Sequence, residues 1–293
     1  MQPMRNLPEK NRPSARTVLC PVASTWRVLL SVSLVLCLAL TLLLGCTQVV
    51  NYTDPNGPLY TGSFPTRPDP EPALRVVSFN IQHGRHIDEA IELLTEDPSL
   101  RGADILFLQE MDAEGTRRIA KALGMSYIYY PAVIHPASDR DFGNAILARW
   151  PIDDPEKIIL PHRARFGGSQ RIATAGTIQI GGQEVRLYSV HIAVPFMLSG
   201  SDRREQARTV AADAASEPGK VIVGGDLNSH GLGKVFAGEG LAWLSREVGS
   251  TRLWFDLDHI FVRGFHLVAP DSIGVVRDNR GASDHLPVWT LLE

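Results

Sequence analysis

Val221-Ile222-Val223-Gly224-Gly225-Asp226-Leu227-Asn228-Ser229 is the stretch whose reading decides the fold. Its apolar opening reads as a strand buried on both faces. Gly224 and Gly225 end that strand without side chains, so other groups can approach its backbone closely. Asp226 and Asn228 stand two residues apart, and in an extended backbone they point the same way. A carboxylate and an amide thus leave a core strand side by side. Alone, this pair also suits a strand that closes in an Asx turn. Its meaning depends on how the other strands end.

Upstream, Leu74 to Ile81 is β-prone and carries Asn80 at its end, followed by Gln82-His83-Gly84. Ile87, Ala90, Ile91 and Leu94 have the spacing of one helical face, which Asp97-Pro98 stops. Ala103 to Glu110 predicts a second core strand, and Glu110 after it must be solvated, paired or metal-bound. Gly115 to Leu123 predicts a helix and Tyr127 to Tyr130 a strand. Gly143-Asn144 precedes the apolar run Ala145 to Ala148. Ile158 to Leu160 and Ile172 to Ile180 predict strands, with Arg171 opening the second. Gly181-Gly182 signals a hairpin to Val185–Val190, which runs into His191.

Ser201 to Ala215 predicts a helix whose Arg203, Arg204, Glu205 and Arg208 form a solvated face. A Gly-rich loop follows Asn228, then a short helix around Leu241 to Glu247. Phe255 to Val262 predicts a strand in which alternation places Asp256 and Asp258 on one face and Leu257 with His259 on the other. An acid inside an apolar strand is costly unless paired, so Asp258 calls for a partner. Asp284-His285 sits just before the last strand.

The 293 residues, 44% of them hydrophobic, suffice for a full core. With 29 basic and 32 acidic residues the net charge is -3, so no basic excess suggests a strong electrostatic grip on nucleic acid. Arg5, Lys10, Arg12, Arg16 and Arg27 precede an apolar run from Val28 to Leu44, closed by Leu43-Leu44-Gly45-Cys46. This predicts an export signal over residues 1–45, and the ending resembles the bacterial lipoprotein signal, with Cys46 lipidated as the first mature residue. An uncleaved signal anchor is the competing reading, and both put the remainder of the chain outside the cytoplasm. The three cysteines are Cys20, Cys37 and Cys46, so the exported part needs no disulfide. Residues 46–72, rich in Pro, Gly, Asn and Thr, predict a flexible tether, and a single domain is expected over 73–293.

Asn80, Glu110, His191, Asp226, Asn228, Asp258, Asp284 and His285 therefore all lie at or beside strand ends, spread along the domain. So many polar strand ends of this kind are hard to explain as turn formers. The pieces SFNIQHG, LFLQEMD, GNAILARWPI, SVHIA, VIVGGDLNS, DLDHIFV and SDHLPVW, in this order and across essentially all of residues 74–293, resemble the endonuclease/exonuclease/phosphatase superfamily. The resemblance implies a four-layer α/β sandwich, with two sheets face to face and helices outside. It implies that Glu110 and Asn80, with Asp284, bind Mg2+ or Mn2+, which hard oxygen ligands suit. It further implies that Asp226 orients and deprotonates water, that Asn228 and His191 donate to the phosphate, and that Asp258 holds His285. Which of Asp226 and His285 is the base stays open. Asn144 and Arg171 match phosphate-contacting positions more loosely.

The expected activity is metal-dependent hydrolysis of a phosphodiester by a monomer that its lipid anchor holds to a membrane. Nucleic acid, a lipid head group or a small molecule would be the substrate, nuclease being slightly favoured. A phosphomonoesterase of the same superfamily and a non-catalytic phosphate-binding module are the alternatives. Fold does not choose among substrates.

Overall fold

A computed structural model describes residues 49–64, 73–136 and 138–293. The expected export signal over residues 1–45 and Cys46 lie outside the described residues. Along the chain come β1 (Tyr60–Ser63), β2 (Leu74–Asn80), α1 (Ile87–Glu96), β3 (Ile105–Met111), α2 (Ala113–Leu123), β4 (Ser126–His135) and β5 (Arg140–Ala148). Then follow β6 (Asp153–Ile159), β7 (Ile172–Ile180), β8 (Gln183–His191), α3 (Gly200–Ser216), β9 (Lys220–Asp226) and α4 (Gly233–Gly238). The chain closes with β10 (Ala242–Trp243), β11 (Asp258–Arg263), β12 (Ile273–Val275) and β13 (Val288–Leu292).

One sheet has the order β1-β4-β5-β3-β2-β13-β12 and the other β10-β11-β9-β8-β7-β6. The β2–β3 and β8–β9 pairs are parallel, and each is joined through a crossover that contains a helix, α1 or α3. Three apolar layers follow from the period of two. Val76, Ile105, Phe107 and Ile146 of the first sheet meet Ile178, Leu187, Ile222 and Ile260 of the second. The alternate residues Val77, Phe79, Leu106 and Leu108 pack outward under α1 and α2. On the far side Tyr188, Val190, Val221, Val223 and Phe261 pack under α3 and α4. The result is the four-layer α/β sandwich.

The face between the sheets changes character along its length. Val76-Ser78-Asn80, Leu187-Ser189-His191, Ile222-Gly224-Asp226 and, read backwards, Val262-Ile260-Asp258 each run from apolar to polar within one side-chain row. Strand direction and register bring the polar ends to one edge, because His191 pairs with Asp226 and Asp226 with Asp258. The site is the polar end of the inter-sheet core.

Part of the expected tether is folded. Tyr60–Ser63 pairs antiparallel with Ser126–Tyr129 of β4, and Val49 and Leu59 pack against the cluster of Tyr130, Val133 and Phe142. Ile134 N donates to Val50 O at 2.9 Å, and Tyr52 N to Ala132 O at 2.9 Å. The outer edge of β4 has unpaired backbone groups, and an extended segment satisfies them even with few apolar residues of its own. The helix expected around Leu241 is instead a two-residue strand followed by a 3-10 turn over Leu244–Glu247, and the Gly-rich loop holds α4.

Candidate active site

Asp226 stands at the centre. It is buried at the end of β9, and its Oδ2 accepts from Asn80 Nδ2 at 3.1 Å and Asn228 Nδ2 at 3.2 Å. His191 Nε2 lies 3.6 Å from the same oxygen and His285 Nε2 3.8 Å. Asn228 closes a tight turn by donating its backbone N–H to Asp226 Oδ1 at 2.7 Å. That turn needs Asn228 at a φ of 51°, a left-handed value that Asn tolerates better than most residues.

Glu110 reaches the site by a different route. Strict alternation would send it outward with Leu106 and Leu108. The pairing of β3 with β5 slips between Leu108 and Met111, and Glu110 takes a φ of 58°. Such a bulge re-aims a side chain. Glu110 Oε1 accepts from Asn80 Nδ2 at 3.2 Å, and Oε2 accepts from His83 N at 3.1 Å.

Charge separates the two inner histidines. His285 Nδ1 is 2.8 Å from Asp258 Oδ2, which gives the acid inside β11 its partner. Burial works against protonation of His285, but Asp258 and then Asp226 outweigh it and push its pKa up to about 10. His285 is therefore an imidazolium at neutral pH. His191 is held neutral, its pKa driven well below the usual range by burial and by Arg171. Arg171 Nη1 approaches His191 Nδ1 at 3.1 Å, and an Arg can only donate. That fixes His191 Nδ1 as the acceptor and Nε2 as the N–H turned to Asp226 and Glu110. Burial, with Asp258 beside it, pushes Asp226 up to about 7.

The expected residues do not all behave alike. Asn80, Glu110, His191, Asp226, Asn228, Asp258 and His285 come together. Asp284 forms an ion pair with Arg252, and its charge acts on His285 and His83 of the site. Asn144 donates to Ile172 O at 2.8 Å and Ser189 O at 3.3 Å, so its amide braces β5 against β7 and β8. Arg171 stacks on Phe142 at 5.1 Å and forms no carboxylate pair among the described residues, which leaves its charge for an anion. Asp256 does not share the Asp258 face. It precedes β11, where alternation no longer governs it, and lies beside His230 and His259.

Three contributors escaped the sequence reading. His83, inside the quoted SFNIQHG, has Nε2 3.3 Å from Glu110 Oε2 and its ring 4.3 Å from His135. Arg203 is buried rather than solvated, donating to Ala193 O at 2.7 Å, Asn228 O at 2.7 Å and Leu227 O at 3.3 Å. Ser283 Oγ donates to Asn80 O at 2.6 Å and accepts from His285 N at 3.1 Å, tying the C-terminal loop to β2.

The donor set fits a divalent cation. Glu110, Asp226 and Asp258 converge in a largely buried space, where burial first and the charge of Asp258 second raise the pKa of Asp226. Asp258 Oδ1 is buried without a hydrogen-bond partner. Oxygen-rich donors of this kind suit Mg2+ or Mn2+.

Residues 77–285 match the Endonuclease/Exonuclease/phosphatase family. Searching curated proteins gives no match. Among solved structures, the chain resembles an endonuclease/exonuclease/phosphatase from Beutenbergia cavernae at 21% identity and a TM-score of 0.59, over 75% of this chain and 71% of that one. It resembles D. rerio TDP2 complexed with a single-strand DNA product at 18% identity and 0.59, over 76% and 100%. Sphingomyelinase C from Streptomyces griseocarneus matches at 18% identity and 0.53, over 75% and 99%. With the family match spanning most of the folded domain, the chain belongs to the endonuclease/exonuclease/phosphatase family, whose members are phosphoester hydrolases and typically depend on a metal.

Proposed function

We propose that this chain is a divalent-metal-dependent phosphodiesterase tethered outside the cytoplasmic membrane. The observation that carries the reading is the charge pattern around Asp226. Glu110, Asp226 and Asp258 face two cations, Arg171 and protonated His285. A divalent ion held by Glu110, with Asn80 and Asp226 beside it, leaves a small net positive charge. That balance suits a singly charged diester better than a doubly charged monoester. The bound ion would offset negative charge that develops on the phosphoryl group.

Protein groups supply the rest. Asp226, buried at the end of β9 and accepting from Asn80 and Asn228, takes the proton of the attacking water. His285 donates from Nε2 to a phosphoryl oxygen while Asp258 holds Nδ1. His191 donates through Nε2–H, and Arg171 supplies a second positive contact. The Asn228 amide is committed to Ile192 O at 3.0 Å and to Asp226, so it positions the carboxylate. The general base is thus assigned to Asp226 rather than to His285.

Phe166, Phe196, Trp254 and Phe255 are exposed on the loops that enter β7, leave β8 and enter β11, at the same edge as Asp226. Aromatic faces there suit stacked bases. The DNA product bound by the similar D. rerio TDP2 supports nucleic acid as the first substrate to test.

The test uses the full chain in detergent with Mg2+. It compares bis-p-nitrophenyl phosphate with p-nitrophenyl phosphate, then single-stranded DNA, RNA and phospholipid vesicles, each with and without EDTA. The diester should turn over at least about ten-fold faster than the monoester and stop in EDTA. Faster monoester turnover, or no EDTA effect, defeats the reading. For the anchor, Cys46→Ser should move the protein from the membrane to the soluble fraction; a variant that stays bound supports the uncleaved signal anchor.

A further inference from the structure

On the opposite face of β11 from Asp258, a second cluster stands outside the catalytic groups. His230 Nδ1 lies 2.7 Å from Asp256 Oδ2, and Asp256 Oδ1 lies 3.7 Å from His259 Nδ1. One ring nitrogen from each histidine and one carboxylate oxygen fall within 4.8 Å of each other. The arrangement is built. His259 is fully buried, edge-on to Trp243 at 5.1 Å, and the His230 ring lies 4.7 Å from the same indole.

The hydrogen bonding is incomplete at the Asp256 carboxylate. Trp243 Nε1 donates to His259 Nδ1 at 3.2 Å, which marks that nitrogen as the one with the lone pair. The nearest carboxylate oxygen, Asp256 Oδ1, therefore meets a lone pair and not a proton. Asp256 Oδ1 is buried without a hydrogen-bond partner. A carboxylate oxygen left this way is costly unless a positive charge meets it.

We infer that His230, Asp256 and His259 form a second metal site, selective for zinc or a similar transition metal. Two imidazoles and one carboxylate suit such an ion and not Mg2+, which prefers an all-oxygen shell. Three protein ligands leave a position for water. His230 is half-exposed and gives the ion a way in from solvent. The site also joins two catalytic loops, since His230 lies two residues after Asn228 and Asp256 two before Asp258. A metal there would pin both loops from behind.

The experiment titrates Zn2+ into the metal-stripped full chain in detergent, against a chromogenic chelator and in excess Mg2+. Wild type is compared with His230→Gln and Asp256→Asn. Zinc held elsewhere, by cysteine thiols or by Asp226 and His285, is common to all three and cancels. Wild type should hold one more equivalent than either variant, or hold it at least about ten-fold more tightly, since losing a direct ligand costs no less than losing an outer partner. Co2+ should give wild type a visible absorption band that both variants lack. Equal zinc uptake by the three folded proteins, checked by circular dichroism, overturns the site. So does a Co2+ spectrum that the substitutions leave unchanged.

Discussion

Asp226 shows at the scale of one residue how the site is held against its own charge. A carboxyl whose folded pKa rises from 3.8 to about 7 is stabilised in its protonated form, so the folded state gains as pH falls through 7 and loses as pH rises. Asp226→Asn removes that burden. In EDTA at pH 8 the variant should melt no lower than wild type, while kcat measured with Mg2+ falls by roughly 10²–10⁴ with loss of the proposed general base. A variant that melts lower and keeps its kcat would make Asp226 structural. Asp258 is probed through its neighbour. Asp258→Asn removes the charge that raises His285, so the alkaline limb of the kcat/KM profile should shift by at least about one unit toward lower pH. A limb that does not move means His285 is not the titrating donor. The sequence made this pair legible, because an acid in an apolar strand has few other uses. It made Glu110 legible as a strand-end carboxylate, but not the means of its arrival, since alternation sends that position to the wrong face and only the bulge corrects it.

At the scale of the element, α3 is the clearest case of hidden function. Its buried stripe runs Arg203, Ala207, Val210, Ala211 and Ala214, so the arginine sits on the apolar face by helical spacing. That spacing was available in the sequence; the neighbouring Arg204, Glu205 and Arg208 disguised it as a solvated run. Arg203 satisfies carbonyls of Ala193, Leu227 and Asn228, and the last two belong to the turn that follows Asp226. Arg203→Met keeps length and leaves those acceptors unpaired, for about 3 kcal/mol of lost stability. Thermal melting should fall by roughly 6–12 °C for a domain of this size, with a drop in kcat; unchanged melting would refute the brace.

The N-terminal segment is a second element the sequence concealed, because pairing along an open edge needs little hydrophobicity. Tyr52 OH donates to Asp141 Oδ1 at 2.7 Å, and burial, with Asp141, raises its pKa to about 12. This contribution is present below pH 10, the ordinary tyrosine value, and is lost as pH climbs through about 12. Proteolysis of residues 49–64 should accelerate over that window in wild type. Tyr52→Phe should lack the step; the same step in the variant would place its origin elsewhere.

Over the whole molecule, the candidate site is assembled by how closely the sheets approach. Asn80 belongs to one sheet and Asp226 to the other, and their hydrogen bond spans the gap at 3.1 Å. Gln109 Nε2 and Ser189 Oγ make a second span at 3.2 Å. The distance is set deeper in, at Gly224, where a Cβ would run into the Phe107 ring of the opposite sheet. Gly224 is therefore a spacer that lets Phe107 fill the inter-sheet layer while the polar rows meet beyond it. Gly224→Ala forces the ring from its place or the sheets apart, which costs about 1–3 kcal/mol, and kcat should fall although no catalytic group is changed. Phe107→Leu alone leaves space and is also destabilising. Combined, the extra methyl occupies the space the smaller side chain vacates. The double variant should then be more stable than the sum of the single losses by at least about 0.5 kcal/mol, a coupling expected only of residues in contact, and should regain part of the kcat lost by Gly224→Ala. Simple additivity in both stability and kcat would mean that the spacing is set elsewhere in the sandwich.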